Sequence, residues 1–403
     1  MDTWVYRIVS FGGLLVMMGV AWLLSEQRKS VRPRPVFVGL GLQFLIAVFV
    51  LKTGPGRAVF EGVQAVFEKL ISFSDKGAEF LFGKLTTDPG LGATVAFQVL
   101  PIVIFVSALS AILYHFRLIQ FIVRGVARVM QRTMRVSGAE SLGAALFVFL
   151  GIESVTAIGK YVQRMTRSEL FLLMTAFMST IASSVMGAYV AFGAEAGHLL
   201  AASLMSAPAA VVVAKIMVPE TGTPDTAGHV DFEPEVKTCN AIDAAASGAS
   251  DGARLAFNIG AMLIAFVGLV AMANFVLDAT VGKSLDTLLG YGFFPFAIAM
   301  GVPLQDAVQV GQLLGTKTVL NEFLAYQQLQ GVIENNALSP RSITISTYAL
   351  CGFANFGSVA ILLGGLRGVA PARAGEVAGL GLKALVAGTL AAFMTACWAG
   401  VLV

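Results

Sequence analysis

Long apolar segments alternate with short polar ones along almost the whole chain. Each apolar segment is close to the ~20 residues that an α-helix needs to cross the hydrocarbon core of a bilayer. The pattern therefore predicts eight membrane-spanning helices, at residues 4–24, 35–51, 93–115, 168–192, 197–218, 254–281, 341–366 and 376–402. We interpret the first as a retained span, because basic residues follow it, whereas a signal peptide carries them before its apolar run.

Two further segments are apolar on one helical face only. In 55–88 and in 117–135, apolar residues recur at helical spacing with charged residues between them. A helix of this kind lies on a membrane interface rather than across the bilayer. The second segment carries five arginines, which favour the cytoplasmic headgroup region. By contrast, 219–252 is polar and rich in Pro, Gly, Ala and Ser, which predicts a loop between the fifth and sixth spans.

The distribution of Lys and Arg predicts the orientation, because cytoplasmic loops carry an excess of these residues. The first loop is basic and is therefore expected in the cytoplasm, with the N-terminus outside; its basic residues are Arg28, Lys29, Arg32 and Arg34. Basic residues further along the chain, such as Lys160, Arg164, Arg367 and Arg373, lie in the cytoplasm only if 139–163 and 303–338 each enter the membrane and leave it on the side of entry. The charges thus predict two oppositely oriented re-entrant hairpins, with Arg341 as a minor exception.

The two hairpins belong to two similar units. Each hairpin is followed by a polar break and then by an apolar helix that small and polar residues interrupt. Thr166 or Ser168 is expected to cap the helix in the first unit, and Ser339, with Pro340 in the first turn, in the second. We expect an inverted repeat and divide the chain into N-terminal scaffold spans with an interfacial helix (1–135), a first hairpin repeat (136–218), a polar loop, scaffold span and external segment (219–302), and a second hairpin repeat (303–403).

Composition supports this reading. Hydrophobic residues make up 57% of the 403 positions and charged residues only 13%, with a mean hydropathy of +0.80, which is outside the range of soluble domains. The net charge of +3 gives no reason to expect a nucleic-acid partner. The three cysteines lack metal-ligand spacing, and no nucleophile–base pair, metal triad or phosphate-binding glycine loop is visible. We therefore expect neither an enzyme nor a bound cofactor.

Two carboxylates occupy matching places in the two hairpins. Glu153 lies in LFVFLGIESVTAIGKYV and Glu322 in LGTKTVLNEFLAYQQL. A carboxylate at membrane depth costs ~2.5–3.5 kcal/mol, so it is rare there and predicts a functional site. A pair in repeated, interrupted segments is typical of a secondary transporter that binds its substrate near the membrane midplane.

The interrupted helices add neutral polar groups to these carboxylates. The first contains Ser179, Thr180, Ser183, Ser184 and Gly187, and the second contains Gly352, Asn355, Gly357 and Ser358. Small and hydroxyl residues let helices pack closely in lipid, which is one interpretation. The other is an unwound segment that faces a wet cavity, and the Asn amide, which needs several partners, favours it. Carboxylates, an amide and hydroxyls together suit a neutral, polyhydroxylated ligand.

In these segments the chain resembles the concentrative nucleoside transporters. The resemblance covers most of the sequence and is strongest in GVPLQDAVQVGQLLGTKTVLNEFLAY, ALCGFANFGSVAILLGGL and KALVAGTLAAFMTA. It implies an all-α polytopic membrane protein with eight transmembrane helices, two opposed re-entrant hairpins and an interfacial helix, in which an inverted-repeat transport domain moves like an elevator on a trimeric scaffold. It also implies a homotrimer in the bacterial inner membrane that imports nucleosides with a cation.

The same resemblance assigns roles to individual residues. Glu322 would bind ribose hydroxyls, with Asn355 and Ser358 beside it and Phe353 near the sugar, although Phe353 also suits a packed core position. Glu153 would face the base. The remaining residues carried over are Val185, which would line the base pocket, and Thr180 and Ile181, which fall where sodium-using members place a hydroxyl and a carbonyl around the ion.

The first hairpin departs from the family pattern. When the glutamates are aligned, the family has Gly-Gln-Ser/Thr-Glu where this chain has Leu150-Gly151-Ile152-Glu153. Gly151 and Ile152 then occupy the two positions whose polar side chains would contact the base. Aligning the glycines instead requires a deletion in this chain. Leu146 falls where a sodium-binding Asn is expected. Hard cations need several oxygen ligands, so we expect proton coupling, with Glu153 or Glu322 as the proton carrier and Na⁺ as the alternative. A same-fold transporter of another neutral polar metabolite, and a membrane protein without transport activity, remain as further hypotheses.

Overall fold

A computed structural model describes residues 3–86, 95–227 and 238–403, apart from the side chains of Thr3, Glu153 and Thr156. Every regular element in these residues is a helix. The first five helices are α1 (Thr3–Leu23), α2 (Pro33–Lys52), α3 (Gly54–Phe82), α4 (Leu100–His115), which a π-helical turn precedes at Val95–Val99, and α5 (Leu118–Met134). They match the predicted segments 4–24, 35–51, 55–88, 93–115 and 117–135, although residues 87–88 and 93–94 lie outside the described part of the chain.

Burial explains why α5 is amphipathic. Apolar residues at every third or fourth position form one buried face, whereas the arginines of the helix are exposed. The buried apolar residues are Ile119, Val123, Ala127, Met130 and Met134. Other apolar residues, such as Phe121 and Val129, are exposed. The helix therefore packs by one face only, as a helix at an interface does.

Both predicted hairpins fold as helix pairs, and both following spans are broken. The first unit consists of α6 (Gly138–Leu150), a 3₁₀ turn (Gly151–Glu153), α7 (Ser154–Val162), α8 (Arg167–Ser179), α9 (Ser183–Ala191) and α10 (Ala196–Met217). The second consists of α13 (Leu304–Val319), α14 (Glu322–Glu334), α15 (Pro340–Leu350), α16 (Phe356–Val369) and α17 (Ala374–Leu402). The interruptions lie at 180–182 and 351–355, within the stretches of small and polar residues.

Capping side chains set where the broken helices begin. Thr166, rather than Ser168, caps α8: its hydroxyl accepts from the Glu169 N–H at 3.1 Å, and the Glu169 carboxylate accepts from the Thr166 N–H at 2.8 Å. The Ser168 hydroxyl instead donates to the Val218 carbonyl. Ser339 caps α15, with Pro340 in its first turn. These caps satisfy N–H groups that would otherwise lack partners.

One expectation for 219–302 needs correction. The predicted loop 219–252 is wrong in its second half, because α11 (Ala241–Thr280) begins at Ala241 and is 40 residues long. The Asn240 side chain accepts from two N–H groups of its first turn, and the alanine-rich sequence that follows has high helix propensity despite its polar neighbours. The external segment contains α12 (Leu285–Ala299), which bends by 119° into α13.

Length and hydropathy give a slightly different set of spans from the one predicted. In the described residues, seven helices are long and apolar enough to cross a membrane, or up to eight if α12 and α13 count as one bent span. The predicted span 341–366 is not among the seven, because its break leaves helices of only 11 and 14 residues. A break of this kind is tolerated at membrane depth only where protein or a wet cavity surrounds it.

The two units interlock around a shared core. α10 and α17 pack against each other and against α8 and α15. The second half of each broken helix contacts the hairpin of the other unit, α9 on α14 and α16 on α7. α11 packs against α4 and stays largely exposed. The hairpin turns and both helix breaks therefore meet in one region.

Candidate functional site

A pocket of about 550 Å³ lies where the two hairpins and the two broken helices meet. A volume of this size suits a small ligand. Its walls come from both units and from α11: Gly151, Ile152, Phe177, Ala182, Ser184, Val185, Tyr189, Asp251, Arg254, Leu255, Asn258, Ile259, Met262, Asn321, Glu322, Phe323, Phe353, Asn355, Ser358 and Ile361. Seven of the eight predicted substrate residues are in this wall.

Glu322 is the most strongly positioned carboxylate of the pocket. It is the first residue of α14 and is 7% exposed. The Tyr189 hydroxyl donates to its Oε1 at 3.0 Å, and the Asn355 amide donates to its Oε2 at 2.7 Å. Because one donor holds each oxygen, the carboxylate has a fixed orientation. The N-terminus of a helix also favours a negative charge at this place.

Asn355 links Glu322 to the second helix break. Its Oδ1 accepts from the Ser358 N–H at 2.7 Å and caps α16, while its Nδ2 donates to Glu322. Asn321 does the equivalent for α14, since its side chain accepts from the Leu324 N–H at 2.9 Å. The structure thus brings Glu322, Asn355 and Ser358 together, as the sequence predicts. Both amides are needed for the local fold and also line the pocket.

Phe353 contributes an apolar wall beside these polar groups. Its ring is partly exposed and its centroid lies 5.6 Å from that of Phe177, tilted by 36°. Gly352, just before it, has φ +157°, and a Cβ there would approach the carbonyl oxygen of Met178 to 3.0 Å. The two helix breaks are therefore in direct contact at this glycine. A flat aromatic face next to hydrogen-bonding groups can pack on a planar or ring-shaped ligand.

The first hairpin presents a less polar surface. Gly151 ends α6 with φ +62°, and Ile152 and Val185 line the pocket. Glu153 ends the 3₁₀ turn at the tip, and its side chain lies outside the described residues. The position in front of Glu153 thus offers an aliphatic side chain where the resemblance expects a polar one.

Thr180 and Ile181, two of the predicted cation residues, are not in the pocket wall. The Thr180 hydroxyl donates to the Ala176 carbonyl at 2.9 Å, and the Thr180 carbonyl accepts from the Phe353 N–H at 3.1 Å. Ile181 and Leu146 are both fully buried. The hydroxyl of Thr180 can still offer its lone pairs to an ion, whereas Leu146 offers none. In the described residues, no three His, Cys, Asp or Glu side chains are arranged to hold a metal.

Several lining residues were not predicted from the sequence. Tyr189 lies one helical turn after Val185, so helical spacing from a predicted residue could have indicated it. Its ring stacks on that of Tyr326 at 4.3 Å between centroids. Asp251, Arg254 and other residues of α11 gave no comparable signal, because only the packing of α11 against the two units brings them to the pocket.

Comparisons with known families agree over the length of the chain. Residues 12–85 match "Na+ dependent nucleoside transporter N-terminus", residues 96–196 match "Nucleoside recognition", and residues 198–400 match "Na+ dependent nucleoside transporter C-terminus". The chain is 42% identical to mouse "Solute carrier family 28 member 3" over 98% of its own length, but it covers only 59% of that longer protein. It is 41% identical to "Uncharacterized transporter YutK" of Bacillus subtilis, with 97% of this chain and 98% of the relative covered.

Solved structures give the same result. The chain is similar to CNTnw in an inward-facing, substrate-bound state, with a TM-score of 0.93, 38% identity and 98% of both chains covered. It is equally similar to a double variant of CNTnw in an outward-facing state, with a TM-score of 0.94, 37% identity, and 100% of this chain and 99% of that one covered. The chain thus shares its all-helical fold with a protein that has been solved in an inward-facing and, as a variant, in an outward-facing state.

Proposed function

Since the chain belongs to the concentrative nucleoside transporter family, we propose that it imports nucleosides across a membrane by secondary active transport coupled to a cation gradient. Members of this family are transporters rather than enzymes. The observation that carries the proposal is the Glu322 carboxylate, which Tyr189 and Asn355 hold in one orientation at the wall of the pocket. Each oxygen keeps a free lone pair for a ligand hydroxyl.

The chemistry of the pocket supports a sugar-bearing ligand. Vicinal hydroxyls can donate in pairs to one carboxylate, and charge-assisted bonds of this kind are about twice as strong as neutral ones. Ser358 and Asn355 lie beside Glu322, and Phe353 offers a ring face. In this proposal Glu322, Asn355, Ser358 and Phe353 bind the ribose.

The base would lie toward the first hairpin, near Val185 and Ile152, with Glu153 at the tip. Aliphatic side chains there select a base by its shape, because they cannot form hydrogen bonds with its edge. We therefore expect weak discrimination at this side of the pocket between bases of similar size that differ in their hydrogen-bonding groups. A different neutral polar metabolite is the second candidate, and Gly151 and Ile152 are the observation that favours it.

We propose sodium as the coupling ion. The expectation of proton coupling gains no support from the comparisons, because the matched family descriptions name Na⁺. The Thr180 hydroxyl and the Ile181 carbonyl are the ligands proposed from the resemblance, near the end of α8. With Leu146 in place of an oxygen-bearing residue, this site would have few ligands and thus a low sodium affinity.

The cycle we propose is alternating access by an elevator movement. Relatives solved in inward-facing and outward-facing states support it. The hairpin units 136–218 and 303–403 would move as the transport domain against a scaffold that includes α4 and α11. We further propose a homotrimer in a bacterial inner membrane, with the N-terminus outside; chemical cross-linking and a topology reporter fused to residue 1 test these two points.

Uptake into proteoliposomes tests the function. Radiolabelled uridine and adenosine are offered with a sodium gradient or a proton gradient imposed separately. We expect accumulation with sodium and little with protons alone. Uptake that follows the proton gradient and ignores sodium would refute the ion assignment. No uptake of either nucleoside under both gradients would refute the substrate class and favour the second candidate.

A further inference from the structure

Lys317 is a buried lysine in the second hairpin that the proposed transport mechanism leaves without a role. It lies two residues before the end of α13, and its side chain is 1% exposed. Its Nζ donates to the carbonyl of Ala349, the next-to-last residue of α15, at 2.7 Å. A buried ammonium is costly unless opposite charge compensates it.

The end of α15 supplies part of that compensation. Three of its last four carbonyls accept from groups that do not continue the helix: the Thr347 carbonyl from the Tyr326 hydroxyl at 2.8 Å, the Tyr348 carbonyl from the Cys351 N–H at 3.2 Å, and the Ala349 carbonyl from Lys317. The C-terminus of a helix carries a partial negative charge, and a cation there is stabilised. Lys317 thus places an ammonium where an ion could otherwise bind.

Glu322 supplies the other part. It lies five positions after Lys317, across the turn of the same hairpin, and the two side chains interact electrostatically. The same ammonium therefore donates to the end of a broken helix and interacts with the carboxylate of the pocket. This arrangement compensates part of the charge of Glu322, and both side chains are buried.

The first unit has the same architecture without the lysine. The hairpin helix α6 packs against α8, as α13 packs against α15. In the described part of the chain, no Lys or Arg side chain donates to a carbonyl in the last turn of α8. Leu146, four residues before the end of α6, is apolar. This is also where the coupling cation is proposed, beside Thr180 and Ile181.

We propose that the Lys317 ammonium is a built-in cation that fills, in the second unit, the site equivalent to the one that the coupling ion fills from solution in the first. The inference rests on the proposed function for the place of the coupling ion. Lys317 is a positioning residue: it acts through the α15 break and through Glu322. The site in the second unit is thus always occupied by the Lys317 ammonium, and only the site in the first unit binds the coupling ion from solution.

Lys317→Gln tests the proposal, because the amide can still donate to Ala349 but carries no charge. Lys383→Gln is the matched control, since Lys383 pairs with Glu26 and neither residue lines the pocket. Uridine affinity is measured by calorimetry on the purified full-length protein over a series of NaCl concentrations, with choline to keep ionic strength constant. For Lys317→Gln we expect a weaker affinity at low sodium and a slope of log Kd against log [Na⁺] that is steeper by about one than in the unaltered protein.

Such a slope means that a tenfold rise in sodium improves the affinity of the variant tenfold more than that of the unaltered protein. An unchanged slope overturns the proposal, whether or not the affinity itself falls, because a merely structural lysine would weaken binding equally at every sodium concentration. Lys383→Gln should keep the original slope.

A second measurement needs no nucleoside and so separates this inference from the proposed function. Sodium should raise the melting temperature of Lys317→Gln more than that of the unaltered protein, and an equal shift would overturn the proposal. If Lys317→Gln is too unstable to purify, Lys317→Met is compared with Lys317→Met/Glu322→Gln. The double variant removes both charges and should melt higher than the single one; a double variant that melts no higher would also overturn the proposal.

Discussion

Replacing Glu322 by Gln removes the charge of the proposed ribose site while leaving its shape almost unchanged. The new amide oxygen can accept from Asn355, and the new NH₂ can donate to the Tyr189 hydroxyl, which accepts as readily as it donates. Both existing partners of the side chain are therefore kept. We expect the variant to fold, with a lower melting temperature than the unaltered protein, because the buried Lys317 ammonium loses the opposite charge of Glu322.

The effect on nucleoside binding is much larger. A hydrogen bond to a charged group contributes ~1.5–3 kcal/mol and a neutral one ~0.5–1.5 kcal/mol, so each bond from a ribose hydroxyl loses ~1–1.5 kcal/mol. Two hydroxyls on one carboxylate therefore lose ~2–3 kcal/mol, which corresponds to a Kd that is roughly 30- to 150-fold higher. In addition, the amide has only one accepting oxygen, so one hydroxyl also loses its partner.

Isothermal titration calorimetry with uridine measures this change, and proteoliposome uptake shows whether transport falls with it. Glu334→Gln is the matched control: Glu334 ends the same helix, is exposed, and accepts from Gln330 at 2.9 Å. It should bind uridine as the unaltered protein does. A Kd for Glu322→Gln within threefold of the original, in a protein that is folded at the assay temperature, would refute the assignment of Glu322 to the sugar.

Three further predictions follow from the same contacts. Tyr189→Phe removes the hydroxyl that donates to Glu322 but keeps the stacked ring, so uridine affinity should fall by about threefold to tenfold, or ~0.7–1.4 kcal/mol, in the same calorimetric assay. Gly352→Ala would press a Cβ against the end of α8, at 3.0 Å from a carbonyl oxygen, and should lower stability by ~1–3 kcal/mol, seen as a lower melting temperature and slower uptake. Glu26→Gln should lower the melting temperature at neutral pH, with a difference that shrinks in acid, measured by thermal unfolding across a pH series.

The pH prediction follows from the groups around Glu26, which lies between two spans. Arg167 donates to its carboxylate at 3.0 Å and Lys383 at 2.9 Å. The Arg167 hydrogen bond, above all, lowers the pKa of Glu26 from its ordinary 4.5 to about 2. Because the folded pKa is the lower one, the stabilisation is complete above about pH 4.5 and is lost as the pH falls toward 2. A difference between the two proteins that stays constant down to pH 3 would contradict the ion pairs.

The two other predictions have clear counter-outcomes. If Tyr189→Phe binds uridine with unchanged affinity, Asn355 alone orients the carboxylate. Gly364, in α16, has open space around its Cβ position and serves as the control for Gly352. Equal melting temperatures for Gly352→Ala and Gly364→Ala would mean that the two helix breaks are not as close as described.

Local sequence determined most of the helices and where they stop. Apolar runs of membrane-spanning length, the Arg-rich face of 117–135 and the caps at Thr166 and Ser339 act within a few residues of each position, so they can be read in order along the chain. The breaks at 180–182 and 351–355 are visible in the same way, because small and polar residues cluster there. The start of α11 was missed because Asn240 and the alanines after it lie in a stretch whose overall polarity predicts a loop.

The composition of the pocket depends on tertiary structure. Glu322, Asn355 and Ser358 could be predicted because their segments resemble a known family, but the sequence does not show that Tyr189, 133 positions earlier, donates to Glu322. That contact exists because α9 of one unit packs on α14 of the other. The α11 residues in the wall and the Lys317 contact with α15 arise likewise from packing between helices distant in the chain. Hydrophobic periodicity states which face of a helix is buried but not which helix covers it, and only the folded arrangement decides which polar groups converge.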